Sequence, residues 1–195
     1  MDFFVTYLND MEQQLSKKTI DLEKEWDSLE KEKDRSYDHE EYLIERNEEL
    51  DRHVEIFYSS FIITIFTFLE NKLNEKCDTY SRKLKINVRD MRGSGINRAI
   101  LFLEKILGFS LPDQKLYEEL KILNEVRNCL AHSGGEITGK NEKLLSYFKS
   151  STTITFYEYT HKKTKKIKIS KQYCELTTKL IRNYLYELIE RNRDK

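Results

Sequence analysis

Between Glu55 and Glu70 the chain runs from Ile56 to Leu69 without a charge, as IFYSSFIITIFTFL. Ile56, Phe57, Phe61, Ile62, Ile65, Phe66 and Leu69 surround nearly the whole circumference of a helix if this segment is helical. A helix apolar all round has no solvent face and belongs at the centre of a bundle. The run is too short to span a bilayer and carries Ser59, Ser60, Thr64 and Thr67, so a buried core helix over about 53–84 is the expectation, and no membrane partner. The single Pro of 195 residues, at position 112, leaves long helices unbroken, and 35% charged residues give such helices polar faces. The fold class is therefore mostly α.

The segments on either side follow from periodicity. Phe4, Leu8, Met11, Leu15, Leu22, Trp26 and Leu29 step by three and four, apart from Lys18, and make a heptad-like seam on a long N-terminal helix. That seam has three conceivable mates: the rest of the chain, a second copy, or a partner protein. "KEKDRSYD" (31–38) reads as a break, followed by a second acidic helix from His39. "KINVRDMRGSG" (85–95) is a basic loop. Asn97 to Leu107 forms a short helix with Ala99, Ile100, Leu103 and Leu107 on one side, stopped by Gly108. A helix over about 113–132 follows, its apolar face carried by Leu116, Leu120, Leu123, Val126 and Leu130. After a short helical turn in "KNEKLLSYFKSS", "TTITFYEYT" and "KKIKIS" alternate at period two and predict a β-hairpin over about 152–170. A last helix, about 171–192, is expected to bury Cys174, Leu176, Leu180, Ile181, Leu185 and Leu188. Domain organisation is read as an acidic helical extension, 1–50, on a helical domain, 51–195.

The net charge of zero conceals a split. Residues 1–55 hold eighteen acidic against eight basic side chains, and residues 56–195 hold sixteen against twenty-six. An acidic arm on a basic body suggests polyanion binding by the body, with the arm folding over it as a mask. Three widely spaced cysteines, Cys77, Cys129 and Cys174, form no CxxC pair, and no metal site or cofactor is expected. Reduced thiols and the lack of a signal-peptide pattern at the start lead to a cytoplasmic expectation.

Chemistry concentrates in "NEVRNCLAHSGGE" (124–136), where a helix carries Arg127, Asn128 and His132 into its last turns before Gly134 and Gly135. At about 100° per residue, Glu125, Asn128 and His132 share one stripe, separated from Val126 on the apolar face. Asn128 is thereby in reach of His132. Arg127 lies about 140° from His132 on an ideal helix, so one chain unites them only if the helix end distorts, whereas two copies across a two-fold axis could build a shared pocket. A neutral-pH proton carrier beside a planar cation suits metal-free RNA cleavage: deprotonation of the ribose 2′-hydroxyl, stabilisation of the phosphorane, protonation of the leaving 5′-oxygen. A plain helix end also accommodates these residues, since His is favoured at a helix C-terminus and Gly stops a helix.

"EVRNCLAH" resembles the Arg-Asn-x-x-x-His signature of HEPN-domain proteins, many of which are ribonucleases of toxin–antitoxin, abortive-infection and CRISPR-linked defence systems. The resemblance extends over roughly residues 50 to 190 in helix order, with the motif itself the specific part. It implies a HEPN-like helical bundle, a homodimer with a composite active site, RNA as substrate, and Arg127 and His132 as catalytic residues with Asn128 beside them. It also implies an antitoxin or defence-system partner. Glu125 is a candidate support behind this set. Some toxins of the family carry a Tyr two residues after the motif His that receives AMP; here that position is Gly134, preceded by Ser133, so the implied control by AMP modification does not carry over. Candidate RNA contacts outside the motif are Arg89 and Arg92 in the basic loop and Lys162, Lys163, Lys165 and Lys166 in the hairpin. The alternative expectation is a non-catalytic HEPN-like module that binds RNA or a partner.

Overall fold

The computed structural model describes residues 1–31, 37–139, 142–149, 151, 153–159 and 164–194. The chain forms α1 (Asp2–Lys31), α2 (Tyr37–Leu84), a 3₁₀ turn (Val88–Asp90), α3 (Gly95–Lys105), α4 (Gln114–Ser133), β1 (Glu136–Ile137), α5 (Glu142–Phe148), β2 (Ile154–Tyr159), β3 (Thr164–Ile169) and α6 (Lys171–Glu190). The fold is mostly α, with a small antiparallel sheet of order β1-β3-β2 before the last helix.

The uncharged run lies at the centre, as its pattern demands. Phe61, Ile62, Ile65, Phe66 and Leu69 are at most 2% exposed, packed among α3, α4 and α6. Helix α2 is long and apolar enough, by length and composition, to cross a bilayer. Most apolar side chains of the uncharged run are buried in the bundle, whereas Tyr37, Tyr42, Ile44, Ile56 and Leu84 of the same helix are exposed. The acidic helix expected from His39 and the core helix are one continuous α2. No Gly or Pro interrupts residues 37–84, so nothing in the backbone stops propagation. Most of the expected break at 31–38 lies outside the described residues.

The N-terminal seam packs on its own chain. Phe4 and Leu8 enter the main core, and Asp2 and Glu12 of α1 pair with Arg182 and Lys171 of α6. Further along, Leu22, Leu29 and Leu43 form a separate small cluster with Trp26 and Leu50, between α1 and the first half of α2 alone. The start of the acidic arm thus lies on the body, while the rest of α1 packs against the first half of α2, which continues unbroken into the core.

The remaining helices sit close to their expected places. Asp113 caps α4, its Oδ1 accepting from the Lys115 N–H at 2.7 Å, directly after Pro112. In α6 the buried stripe runs through Cys174, Thr177, Thr178, Ile181, Tyr184 and Leu188. Leu176, expected inside, is 46% exposed because it sits off that stripe. The two-residue β1 has no signal in the sequence; it exists because the chain leaving α4 pairs with β3, Glu136 opposite Lys166 and Ile137 opposite Lys165.

The buried thiols bear on stability. Burial, with a smaller contribution from Asp78, pushes the Cys77 thiol up from 9.0 to about 12. The unfolded chain releases that proton above about pH 9 while the folded chain keeps it, so this contribution is complete below pH 9 and is lost as pH rises toward the folded value. Urea denaturation at about pH 8 and pH 10 is expected to show falling stability, by at most about 1.4 kcal/mol per pH unit from this group. The decline should be shallower in Cys77→Ala.

Candidate functional site

The motif occupies the last two turns of α4, and the way that helix ends holds it in place. Gly134 adopts a left-handed conformation (φ 58°), as does Gly135 (φ 86°), a backbone state that glycine enters without a steric penalty. The N–H groups of both return to the Cys129 carbonyl. Ser133 Oγ bonds the Cys129 and Glu136 carbonyls at 2.8 and 2.9 Å. The Ile167 N–H donates to the Gly135 carbonyl at 3.0 Å, which ties the helix end to β3. Cys129 itself is a buried core residue.

Arg127 leaves α4 toward α2. Its Nη2 donates to Glu70 Oε2 at 2.5 Å, its Nη1 donates to Asn128 Oδ1 at 2.9 Å, and its Cζ lies 5.2 Å from the centre of the Phe66 ring. Arg127 and Glu70 side chains are 21% and 18% exposed, so the pair is mostly screened from water. The Arg127 Nε is buried without a hydrogen-bond partner. Two Nη hydrogens remain for another acceptor, since a guanidinium carries five donors.

His132 takes the opposite course. It is exposed in the final turn and has no side-chain partner among the described residues. The hydrogen bond of Asn128 goes to Arg127 and not to His132, although Asn128 and His132 share a stripe of the helix. The charge of the guanidinium makes it the stronger claimant on the amide oxygen. Arg127 and His132 thus diverge within one protomer, in the sense the helical offset requires.

Glu125 is exposed and has no hydrogen bond or ion pair to the motif among the described residues; it lines a groove beside α3 and α5. Arg89 and Arg92 are exposed around the 3₁₀ turn, and nearby Arg98 is committed to the Gly93 carbonyl through Nε (2.9 Å) and Nη2 (2.6 Å). Lys166 pairs with Glu55, which also accepts from the Tyr157 hydroxyl at 2.8 Å, so Lys166 would have to leave that carboxylate to meet a phosphate. Lys165 is half-buried on β3, and Lys162 and Lys163 lie outside the described residues. Among the described residues no three His, Cys, Asp or Glu side chains converge as a metal site would require.

The residue that sequence reasoning did not place in the site is Glu70. Its signal was present: it is the first charge after the uncharged run, on the most buried helix. A lone carboxylate there needs a cation. Its second oxygen lies against the start of α3, where a Cβ on Gly95 would come within 2.8 Å of Glu70 Oε1. Gly95 also has φ +54°. Gly95→Ala is therefore expected to lower stability by about 1–2 kcal/mol from backbone strain alone and to displace Glu70 from Arg127. Thermal unfolding measures the first effect, and a shifted Arg127 Nε–H signal in NMR reports the second.

Comparison with protein-family models, curated proteins and solved structures finds no match to this chain. The class defined by fold and site is thus a mostly helical bundle with a small sheet and a polar Arg-Asn-His helix end whose Arg is braced by a largely screened carboxylate.

Proposed function

We propose that the chain is a metal-independent endoribonuclease, the toxic effector of a prokaryotic toxin–antitoxin or anti-phage defence module, acting as a homodimer on RNA in the cytoplasm. The observation that carries this is the division of labour at the end of α4. A cation is held rigidly by Glu70, Asn128 and Phe66, while a His in the next turn is exposed and uncommitted. Fixed positive charge and a mobile proton carrier are the two requirements for in-line attack by the 2′-hydroxyl.

His132 accepts the 2′-hydroxyl proton as O2′ attacks phosphorus. The remaining Nη hydrogens of Arg127 stabilise the charge on the phosphorane oxygens. The P–O5′ bond then breaks, and the His132 of a second copy supplies the proton to O5′. The products are a 2′,3′-cyclic phosphate and a 5′-hydroxyl. DNA, lacking the 2′-hydroxyl, is not cut by this route.

A second reading is favoured by one observation: each Nη of Arg127 already donates to a neighbour, the pattern of an internal ion pair. On that reading the protein is a non-catalytic module that binds RNA or a partner protein. Incubation of the purified protein with mixed single-stranded RNA in EDTA separates the two. Fragments with 2′,3′-cyclic phosphate ends support the enzyme. Intact RNA across many substrates, with the protein folded and dimeric, removes it.

A further inference from the structure

A groove of about 430 Å³ runs between α3, α4 and α5, beside the motif but outside it. Its walls include Asn97 from the first turn of α3, Lys121, Asn124 and Glu125 from α4, and Lys143 and Tyr147 from α5. On α4, Lys121, Asn124, Asn128 and His132 follow at steps of three and four. The groove and the exposed end of the motif therefore share one face of that helix. Glu125 is about 4.5 Å of helical rise from Asn128 and about 10.5 Å from His132, so the groove opens within one turn of Asn128 and two turns of His132.

Its chemistry is specific in kind. Glu118, the other carboxylate lining the groove, is taken up by Lys121 at 2.7 Å and by Gln114 at 2.6 Å, which leaves Glu125 as the carboxylate open to a ligand. Asn97, Asn124, Glu125 and Lys143 have no side-chain partner among the described residues, and the Tyr147 ring is 42% exposed. Two amides and a carboxylate suit the edge of a nucleobase, an aromatic ring suits its face, and an ammonium suits a phosphate. The volume lies within the range of small-ligand sites.

The carboxylate decides which base. Ionised, it only accepts hydrogen bonds. Guanine presents two adjacent donors, N1–H and the N2 amino group, on one edge. Uracil flanks a single N–H with two carbonyl oxygens that a carboxylate repels. We propose that this groove is a base subsite for single-stranded RNA adjoining the scissile phosphate, and that it takes guanine, with Glu125 as the specificity-determining residue. The proposal rests on the ribonuclease reading for its place in catalysis, and its binding test stands apart from cleavage.

The test uses the His132→Ala protein and two labelled pentanucleotide RNAs, UUGUU and UUUUU, followed by fluorescence anisotropy. UUGUU is expected to bind about tenfold more tightly, the discrimination typical of one bidentate base contact. Adding Glu125→Gln should bring the two to within about twofold. Tyr147→Phe should keep the affinity for UUGUU, and Tyr147→Ala should weaken it about tenfold, with thermal unfolding showing each variant folded. Equal affinity for the two RNAs, or a preference that survives Glu125→Gln, overturns the subsite whether or not wild-type protein cuts RNA. Guanine-selective binding abolished by Glu125→Gln, in a protein that cuts nothing, keeps the subsite and sinks the ribonuclease reading. If the protein does cut, mapped ends should place guanine next to the break.

Discussion

Glu70→Ala is expected to lower the stability of the fold by about 2–3 kcal/mol and, on the ribonuclease reading, to slow RNA cleavage at least about tenfold. The first figure follows from what is left behind. Removing one partner of a mostly buried ion pair leaves the other charge without compensation, at about 3–5 kcal/mol for a fully buried pair. A fifth of the Arg127 side chain is in contact with water, which reduces the penalty toward that of a charged hydrogen bond. Arg127→Ala should be comparably destabilising, because it strands the Glu70 carboxylate and uncovers the face of Phe66. The double variant should be less destabilised than the two single effects added, by a coupling of about 1–3 kcal/mol. Additive single effects in urea denaturation would mean that the 2.5 Å contact carries no net energy. Glu70→Gln separates positioning from stability. It retains a hydrogen-bond acceptor for Arg127 without the charge, so cleavage should recover more than stability does.

The second large effect is the opposite case. His132→Ala removes an exposed side chain with no partner among the described residues, so the melting temperature should be close to that of wild type, while cleavage falls by about 10²–10⁴-fold, the usual contribution of a general acid–base group. If a two-fold dimer assembles the site, mixing inactive His132→Ala with inactive Arg127→Ala protein should restore part of the activity, because a mixed dimer contains one Arg and one His across the axis. No recovery from mixed and demonstrably exchanged dimers would mean that both His132 side chains are needed, as the two-His mechanism has it, or that both residues of one site lie in one chain. In the latter case the helical offset would have to be overcome by distortion, which the regular α-helical end through Ser133 does not provide.

Much of this fold is written in one dimension. The uncharged run can go nowhere except the middle of a bundle, because a helix without a polar face has no stable place at a surface. The seam from Phe4 to Leu29, the Asp113 cap after Pro112 and the alternation in "TTITFYEYT" each act over a few residues, so a local pattern suffices to read them. The divergence of Arg127 from His132 is equally local: it is a property of the helical repeat, and the structure carries it through to one braced and one exposed side chain.

Other features are decided by residues far apart in the chain, and no local pattern holds them. Glu70 and Arg127 are fifty-seven residues apart, and only the packing of α4 on α2 brings the carboxylate and guanidinium together. That contact also holds Arg127 beside Asn128, whose amide oxygen accepts from the guanidinium and not from His132. The destination of Glu125 depends on where α3 and α5 stand beside α4. The loss of Lys166 to Glu55 depends on β3 lying against α2. By itself the sequence determined a helical protein with a buried core helix and an Arg-Asn-His helix end, because hydrophobic period and helical angle are local quantities. Which of those polar residues is braced, which is exposed, and which neighbours share their groove was decided only by the tertiary structure, because ion pairs and grooves are made by distance in space.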